Sequence, residues 1–310
     1  MNTKYTVSGS CKDKGSINLE GTKNGKIFIS LQATSSAINN DLDIALECLK
    51  QAITNKSDEQ TIHLEHRALT AAQIPAITFY AESNEKLPVA ICIHGLNSSK
   101  TQSIQSAIQL AQEGYYTIII DAAMHGERSL EDPALLDMNM DKEFASNFLY
   151  VLKTTANDLS TIIDELVNIP LVDSTRIGVT GTSMGGFITF HAATFEHRIS
   201  AIAPLVATPD WGLLFEHTSA ADFDSEKKIS IAATDPLHNY QKMAKTAILV
   251  QNNTEDPVVD VRGSRNLDKK LKPLFFATPE RYSYIEYNQS GHNVSPEMFH
   301  NVIEWFNKFV

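Results

Sequence analysis

The sequence has little of what a disulfide-stapled, membrane-spanning or nucleic-acid-binding protein needs. Cysteine is scarce: Cys11, Cys48 and Cys92 are the only three in 310 residues. An odd number without metal-ligand spacing implies neither a disulfide framework nor a zinc site, and Cys92 lies inside an apolar run, so a reducing compartment fits. No stretch approaches the roughly 18 apolar residues of a membrane span, and the first seven residues lack the apolar centre of a signal peptide. A soluble, cytoplasmic protein is expected. Basic residues are outnumbered 26 to 37, and the net charge of -11 argues against nucleic acid or an anionic membrane as a partner.

What remains is an ordinary globular composition, 43% hydrophobic and 20% charged, enough chain for one large domain with a substantial core. Its most informative stretch is Gly181-Thr182-Ser183-Met184-Gly185-Gly186, directly behind the apolar run Arg176-Ile177-Gly178-Val179-Thr180. A buried strand that enters Gly-x-Ser-x-Gly and leaves as a helix describes a nucleophile elbow, the turn that raises a serine hydroxyl above a sheet. Glycine is required at 181 and 185 because strand and helix backbones approach closely there. The following helix directs its free N–H groups at Ser183, where they favour developing negative charge.

Residues 1–60 carry no catalytic constellation. Ile17 and Leu19 alternate before Asn24-Gly25, and Ile27, Ile29 and Leu31 after it, which predicts a β-hairpin. Leu42, Ala45, Leu49, Ala52 and Ile53 recur at helical spacing. This segment is expected to be an appendage that packs on the main domain or mediates homo-oligomer formation. From residue 61 onward, two strands lead into a regular alternation of apolar strands and amphipathic helices. Strands are predicted at 88–93, 116–120, 176–180, 201–206, 246–250 and 282–287, and helices at about 98–114, 141–167, 184–194 and 296–309. Near-continuous apolar strands alternating with helices predict an α/β fold with a mostly parallel sheet covered on both faces. A ligand site in such a sheet lies outside the carboxyl ends of its strands.

A serine becomes nucleophilic only beside a base that takes its proton and an acid that orients the base. On this architecture the chain order is serine, acid, histidine. His191, His197 and His300 fall in or beside helices, whereas His292 follows the last strand in Ser290-Gly291-His292-Asn293. Beyond Val250 the chain reads Gln251-Asn252-Asn253-Thr254-Glu255-Asp256-Pro257, and Asp256 is the candidate acid, with Glu255 and Asp260 as rivals. The oxyanion hole needs one N–H from the residue after the nucleophile, Met184, and one from an earlier strand end, here Leu96 in His94-Gly95-Leu96.

With these elements assembled, the chain resembles the α/β-hydrolase superfamily and, more narrowly, the small bacterial carboxylesterases of the dienelactone-hydrolase and prolyl-oligopeptidase-like branch. The resemblance spans about residues 75–310 and also rests on the block Asp121-Ala122-Ala123-Met124-His125-Gly126-Glu127-Arg128, where Asp121 and His125 shape a loop beside the site. It implies a hydrolase domain at 61–310 with a short cap insertion at about 207–245, in which Trp211, Leu214 and Phe215 are the candidates for an apolar substrate pocket, with anchoring of the cap as their alternative role. It further implies hydrolysis of small to medium carboxylic esters, with a small-molecule ester as the partner and no metal or organic cofactor. A peptidase of prolyl-oligopeptidase type and a non-catalytic binding protein on the same fold are the alternatives. The family often has His-Gly where this chain has Asn252-Asn253.

Overall fold

The computed structural model describes residues 6–11, 16–23, 26–34, 62–69, 74–129, 136, 142–216 and 223–310. Among these described residues eleven strands form one sheet in the order β1-β2-β3-β4-β5-β7-β6-β8-β9-β10-β11. They are β1 (Thr6–Cys11), β2 (Ser16–Lys23), β3 (Lys26–Thr34), β4 (Ile62–Leu69), β5 (Ile74–Ala81), β6 (Leu87–Ile93), β7 (Tyr116–Ile120), β8 (Val172–Thr182), β9 (Ala201–Leu205), β10 (Ala247–Glu255) and β11 (Tyr282–Ser290). The six strands β6 to β11 run parallel to one another. β5 is antiparallel to both β4 and β7.

The expected hairpin at 17–31 is present as β2 and β3, paired from Ser16↔Thr34 to Lys23↔Lys26. Its turn at Asn24-Gly25 and the helix expected at 42–53 lie outside the described residues. A third strand, β1, adds antiparallel to β2, and β3 runs parallel to β4. The N-terminal strands thus continue the same sheet, and a boundary at residue 60 falls between paired strands.

Among the described residues seven α-helices are present in chain order: α1 (Ile104–Gln112), α2 (Lys142–Leu166), α3 (Met184–Ala192), α4 (Trp211–Leu214), α5 (Ser225–Thr234), α6 (Val261–Leu271) and α7 (Pro296–Phe309). The alternation of side chains along β6 shows how they are distributed. Val89, Ile91 and Ile93 face a core shared with α2, α3 and α6. Ala90 and Cys92 face the opposite core, shared with α1 and α7. Both faces are buried because a parallel strand is covered on each side. Start signals act where expected. Ser99 accepts from the Thr101 N–H ahead of α1, and Ser295 accepts from the Met298 N–H with Pro296 at the first helical position of α7.

β10 departs from its expected end at Val250 and runs on to Glu255, paired with β11 as far as Glu255↔Ser290. The sequence reads Gln251, Asn252 and Asn253 as loop because they are polar. They are buried strand residues whose amides find partners: Gln251 Nε2 donates to Met298 O and Gln251 Oε1 accepts from Tyr287 O–H. α6, which opens on an Asp260 cap, is a helix the periodicity reading missed.

The chain leaves β6 for β7 on one side and returns through β8 on the other. This reversal opens a crevice between the carboxyl ends of β6 and β8. On the opposite face helix α7 closes the core: a Cβ on Gly178 of β8 would stand 2.9 Å from the Phe306 ring, so the ring takes the space a side chain would need. Phe306 is fully buried, and Phe306→Ala is expected to cost about 3–5 kcal/mol, measured by urea unfolding.

Candidate active site

Ser183 joins β8 to α3 with φ 53° and ψ -117°, a region non-glycine residues rarely occupy. Its N–H donates to Leu205 O at 2.9 Å, and its carbonyl accepts from Gly186 and Phe187 N–H at 2.7 and 3.0 Å. These bonds fix the turn from both sides. A Cβ on Gly181 would strike the Gly185 backbone, and one on Gly185 would strike the carbonyl of Ile93, so both glycines are demanded by contact between three elements.

His292 reaches the serine from the end of β11. Gly291 before it has φ 104°, which turns the chain back over the sheet. The imidazole Nε2 lies 2.7 Å from Ser183 Oγ, and Nδ1 lies 2.7 Å from Asp256 Oδ2. A carboxylate only accepts, so Nδ1 carries the proton and Nε2 is left to accept from the serine hydroxyl. The Asp256 side chain is fully buried, and its Oδ1 accepts from the Val258 and Val259 N–H groups at 2.8 and 3.0 Å. The rivals are engaged elsewhere or turned out: Glu255 is exposed, while Asp260 caps α6 and pairs with Arg262.

The loop after β6 passes close to the serine, since a Cβ on Gly95 would lie 3.8 Å from Ser183 Cβ. The Gly95 N–H is committed to Gln102 Oε1 at 2.7 Å, which leaves Leu96 as the next donor along the turn. Leu96 also lines the pocket in front of Ser183. Met184 is the first residue of α3, so its N–H has no acceptor within the helix. Gln102 carries no motif, and only the folded loop reveals its part.

Two histidines hold this loop. His94 Nε2 accepts from Ala122 N–H at 3.0 Å, and its Nδ1 lies 2.7 Å from Gly95 O. His125 Nε2 accepts from Asn97 N–H at 3.3 Å, with Nδ1 2.8 Å from Ala123 O. Each ring accepts at one nitrogen and donates at the other, which only neutral imidazole can do. Burial pushes His94 down to about 4 and holds His125 below its ordinary value. Beneath them Lys100, fully buried, pairs with Asp121 at 2.7 Å and Glu127 at 2.6 Å. Asp121 Oδ1 also accepts from the Lys100 N–H. Asp121 and His125 therefore brace the loop, as their family block implies.

The pocket in front of Ser183 has a volume of about 700 Å³ and is walled by Phe144, Phe148, Phe187, Leu213 and Leu214, with Val258, Val259 and Val261 opposite. Of the three cap residues expected to line it, Leu214 does. Trp211 and Phe215 do not. Trp211 is wholly buried, its ring 5.0 Å from that of His191 on α3, and with Phe215 it borders a separate cavity of about 300 Å³. The large apolar surface of Trp211 packs instead on the elbow helix. Phe144 and Phe148 occupy the wall they were expected to fill; their spacing on α2 reads as ordinary core stripe, and nothing in it marks the end that reaches the site.

Two family models match the chain, the prolyl oligopeptidase family over residues 139–310 and acetyl xylan esterase over residues 35–222. They overlap across the elbow, and each spans more than half of the sequence. The chain belongs to these two families of α/β-hydrolases. Among individual proteins it is similar to YitV of Bacillus subtilis, which carries an esterase name, at 26% identity over 78% of this chain and 97% of that one. Esterase YjfP of Escherichia coli is 23% identical over 68% of this chain and 85% of its own length. In fold it is similar to TT1662 from Thermus thermophilus, with a TM-score of 0.66 at 15% identity over 80% of this chain and 97% of that one. The acylaminoacyl peptidase of Pyrococcus horikoshii covers 99% of this chain with half of its own length, at a TM-score of 0.60 and 17% identity. The chain is thus an esterase-like hydrolase. Among the described residues no helix is long and apolar enough to cross a membrane.

Two outcomes test the bracing network. Lys100→Met leaves buried Asp121 without its counter-charge and is expected to cost about 3–5 kcal/mol, read from denaturant midpoints. His94 and His191 are both pushed from 6.5 to about 4, burial being the first cause. The unfolded chain therefore binds more protons than the folded one between these values, and stability falls as pH drops from 6.5 towards 4. His94→Gln should flatten that fall, measured as the melting temperature against pH beside the parent chain.

Proposed function

We propose that this protein is a serine carboxylesterase acting on small to medium carboxylic esters through Ser183, His292 and Asp256. The observation that carries the reading is the continuous hydrogen-bonded path from Ser183 Oγ through His292 to a buried Asp256, 2.7 Å at each step, opening into an apolar pocket. Ser183 Oγ attacks the ester carbonyl as its proton passes to His292 Nε2. The Leu96 and Met184 N–H groups receive the oxyanion, and Asp256 stabilises the imidazolium. His292 then returns the proton to the departing alcohol, and water repeats the sequence on the acyl-enzyme to release the acid.

The pocket wall favours an uncharged substrate. Phe144 and Phe148 stack at 5.6 Å between ring centroids, and Phe187 meets Phe148 edge-on at 6.0 Å, so the aromatic floor suits an apolar acyl or alcohol group. No lysine or arginine is among the residues described along the wall, and a substrate anion would find no counter-charge there. Amide cleavage is the second reading, favoured by the match to the prolyl oligopeptidase model. Both readings use the same nucleophile, and the leaving group separates them.

Purified protein is expected to hydrolyse p-nitrophenyl acetate and butyrate and to be labelled at Ser183 by a fluorophosphonate. Ser183→Ala is expected to lower kcat by about four orders of magnitude or more while still binding an apolar product. Turnover of aminoacyl anilides outpacing that of matched esters would select the peptidase reading. Absence of both turnover and labelling would overturn the enzymatic one.

A further inference from the structure

We propose that Asn253 is the positioning residue for His292, an inference that rests on the serine hydrolase reading of the same site. Asn253 is wholly buried near the end of β10. Its Nδ2 donates to the carbonyls of Gly291 and Asn293, each at 2.9 Å, and these residues flank the histidine directly. A third bond comes from the same strand end, with the Gly291 N–H donating to Glu255 O at 3.1 Å. The tripeptide that carries the imidazole is therefore tied at 291 on both backbone groups and at 293 on its carbonyl.

The chemistry of the amide fixes its role. Both partners are carbonyl oxygens, so only the NH2 end of Asn253 can face them, and its two protons match the two acceptors. The opposite end has no partner: Asn253 Oδ1 is buried and unbonded among the described residues. A buried acceptor left unpaired is unfavourable, and this side chain tolerates it while its donors are both in use. Strand alternation turns the neighbouring Asn252 to the other face, where its Nδ2 donates to Ala207 O at 3.0 Å. Thus the pair that departs from the family's His-Gly divides its work between the cap entrance and the histidine loop.

Asn253 does not line the pocket in front of Ser183 and is closed off from solvent, so it acts on the reaction through the histidine. Asp256 grips the ring at Nδ1 alone. Once the serine hydroxyl gives up its proton and attacks, that one grip on a backbone with glycine at its hinge, φ 104° at Gly291, holds the ring in place only if the backbone is also held. The two carbonyl bonds hold it.

The test compares Asn253→Ala, Asn253→Ser and Asn253→Asp with the parent protein on p-nitrophenyl butyrate. Removing the donor is expected to lower kcat about a hundredfold, the scale of an ångström-level misplacement, with KM within about twofold because no pocket wall is touched. Serine, with one donor, should recover part of the loss. Aspartate keeps the shape but turns an acceptor on two carbonyls, so its activity relative to the parent should be low at neutral pH. That ratio should rise as pH falls and the carboxyl regains one O–H. A readout independent of turnover is the low-field NMR resonance of the proton shared by His292 Nδ1 and Asp256, expected sharp in the parent and broadened in the alanine and aspartate variants. Variants whose kcat stays within about twofold of the parent and whose low-field resonance is unchanged would overturn the proposal. A parent protein with that resonance intact but no ester turnover would overturn the esterase reading and leave the positioning role standing on the NMR comparison.

Discussion

Ser183 is held in a backbone conformation that costs about 1–3 kcal/mol, and the surrounding architecture is arranged so that this conformation cannot relax. β8 arrives from one side, α3 departs on the other, and the Leu205 carbonyl takes the serine's own N–H. Two glycines let these elements touch, since any side chain at 181 or 185 would meet backbone. The strain is repaid by burial: every residue of α3 is buried, and so are β9, residues 177–181 of β8 and nearly all of β6 beneath it. The hydroxyl is left standing above the sheet with a helix N-terminus behind it.

Around that fixed point, three loops must arrive at the right height, and each is held by a different physical device. The loop after β6 is held by neutral histidines and a buried lysine between two carboxylates. The acid loop is held by its own carboxylate, one oxygen for the backbone of 258 and 259 and the other for His292. The histidine loop is tied to the polar end of β10. In each case buried polar groups are bonded to backbone, which fixes direction as well as distance, whereas apolar packing alone would tolerate sliding. The substrate wall, by contrast, is built from aromatic and aliphatic side chains that require only shape.

Much of this was legible before folding was considered. The Gly-x-Ser-x-Gly turn behind an apolar strand identifies itself because both glycines and serine act locally. His292 stands out by its place after the last strand, whereas His191 and His300 sit within helices. The polar end of β10 is hidden from the sequence because Gln251, Asn252 and Asn253 look solvated until their distant partners are known. Trp211 and Phe215 fit the pocket and an anchoring role equally in the sequence, because large apolar residues in a cap have two possible faces to cover.

The sequence by itself determined the alternation of apolar strands with helices, the candidate nucleophile and the family resemblance, because periodicity, glycine placement and chain order are properties of neighbouring residues. Only the tertiary structure decided which of three acids meets the histidine, which aromatics wall the pocket and which distant carbonyls the asparagine pair bonds. Ser183 and His292 are 109 residues apart and His292 and Asp256 are 36. A hydrogen bond across such separations depends on how strands register in the sheet, and that register is set by the whole core rather than by any local stretch of chain.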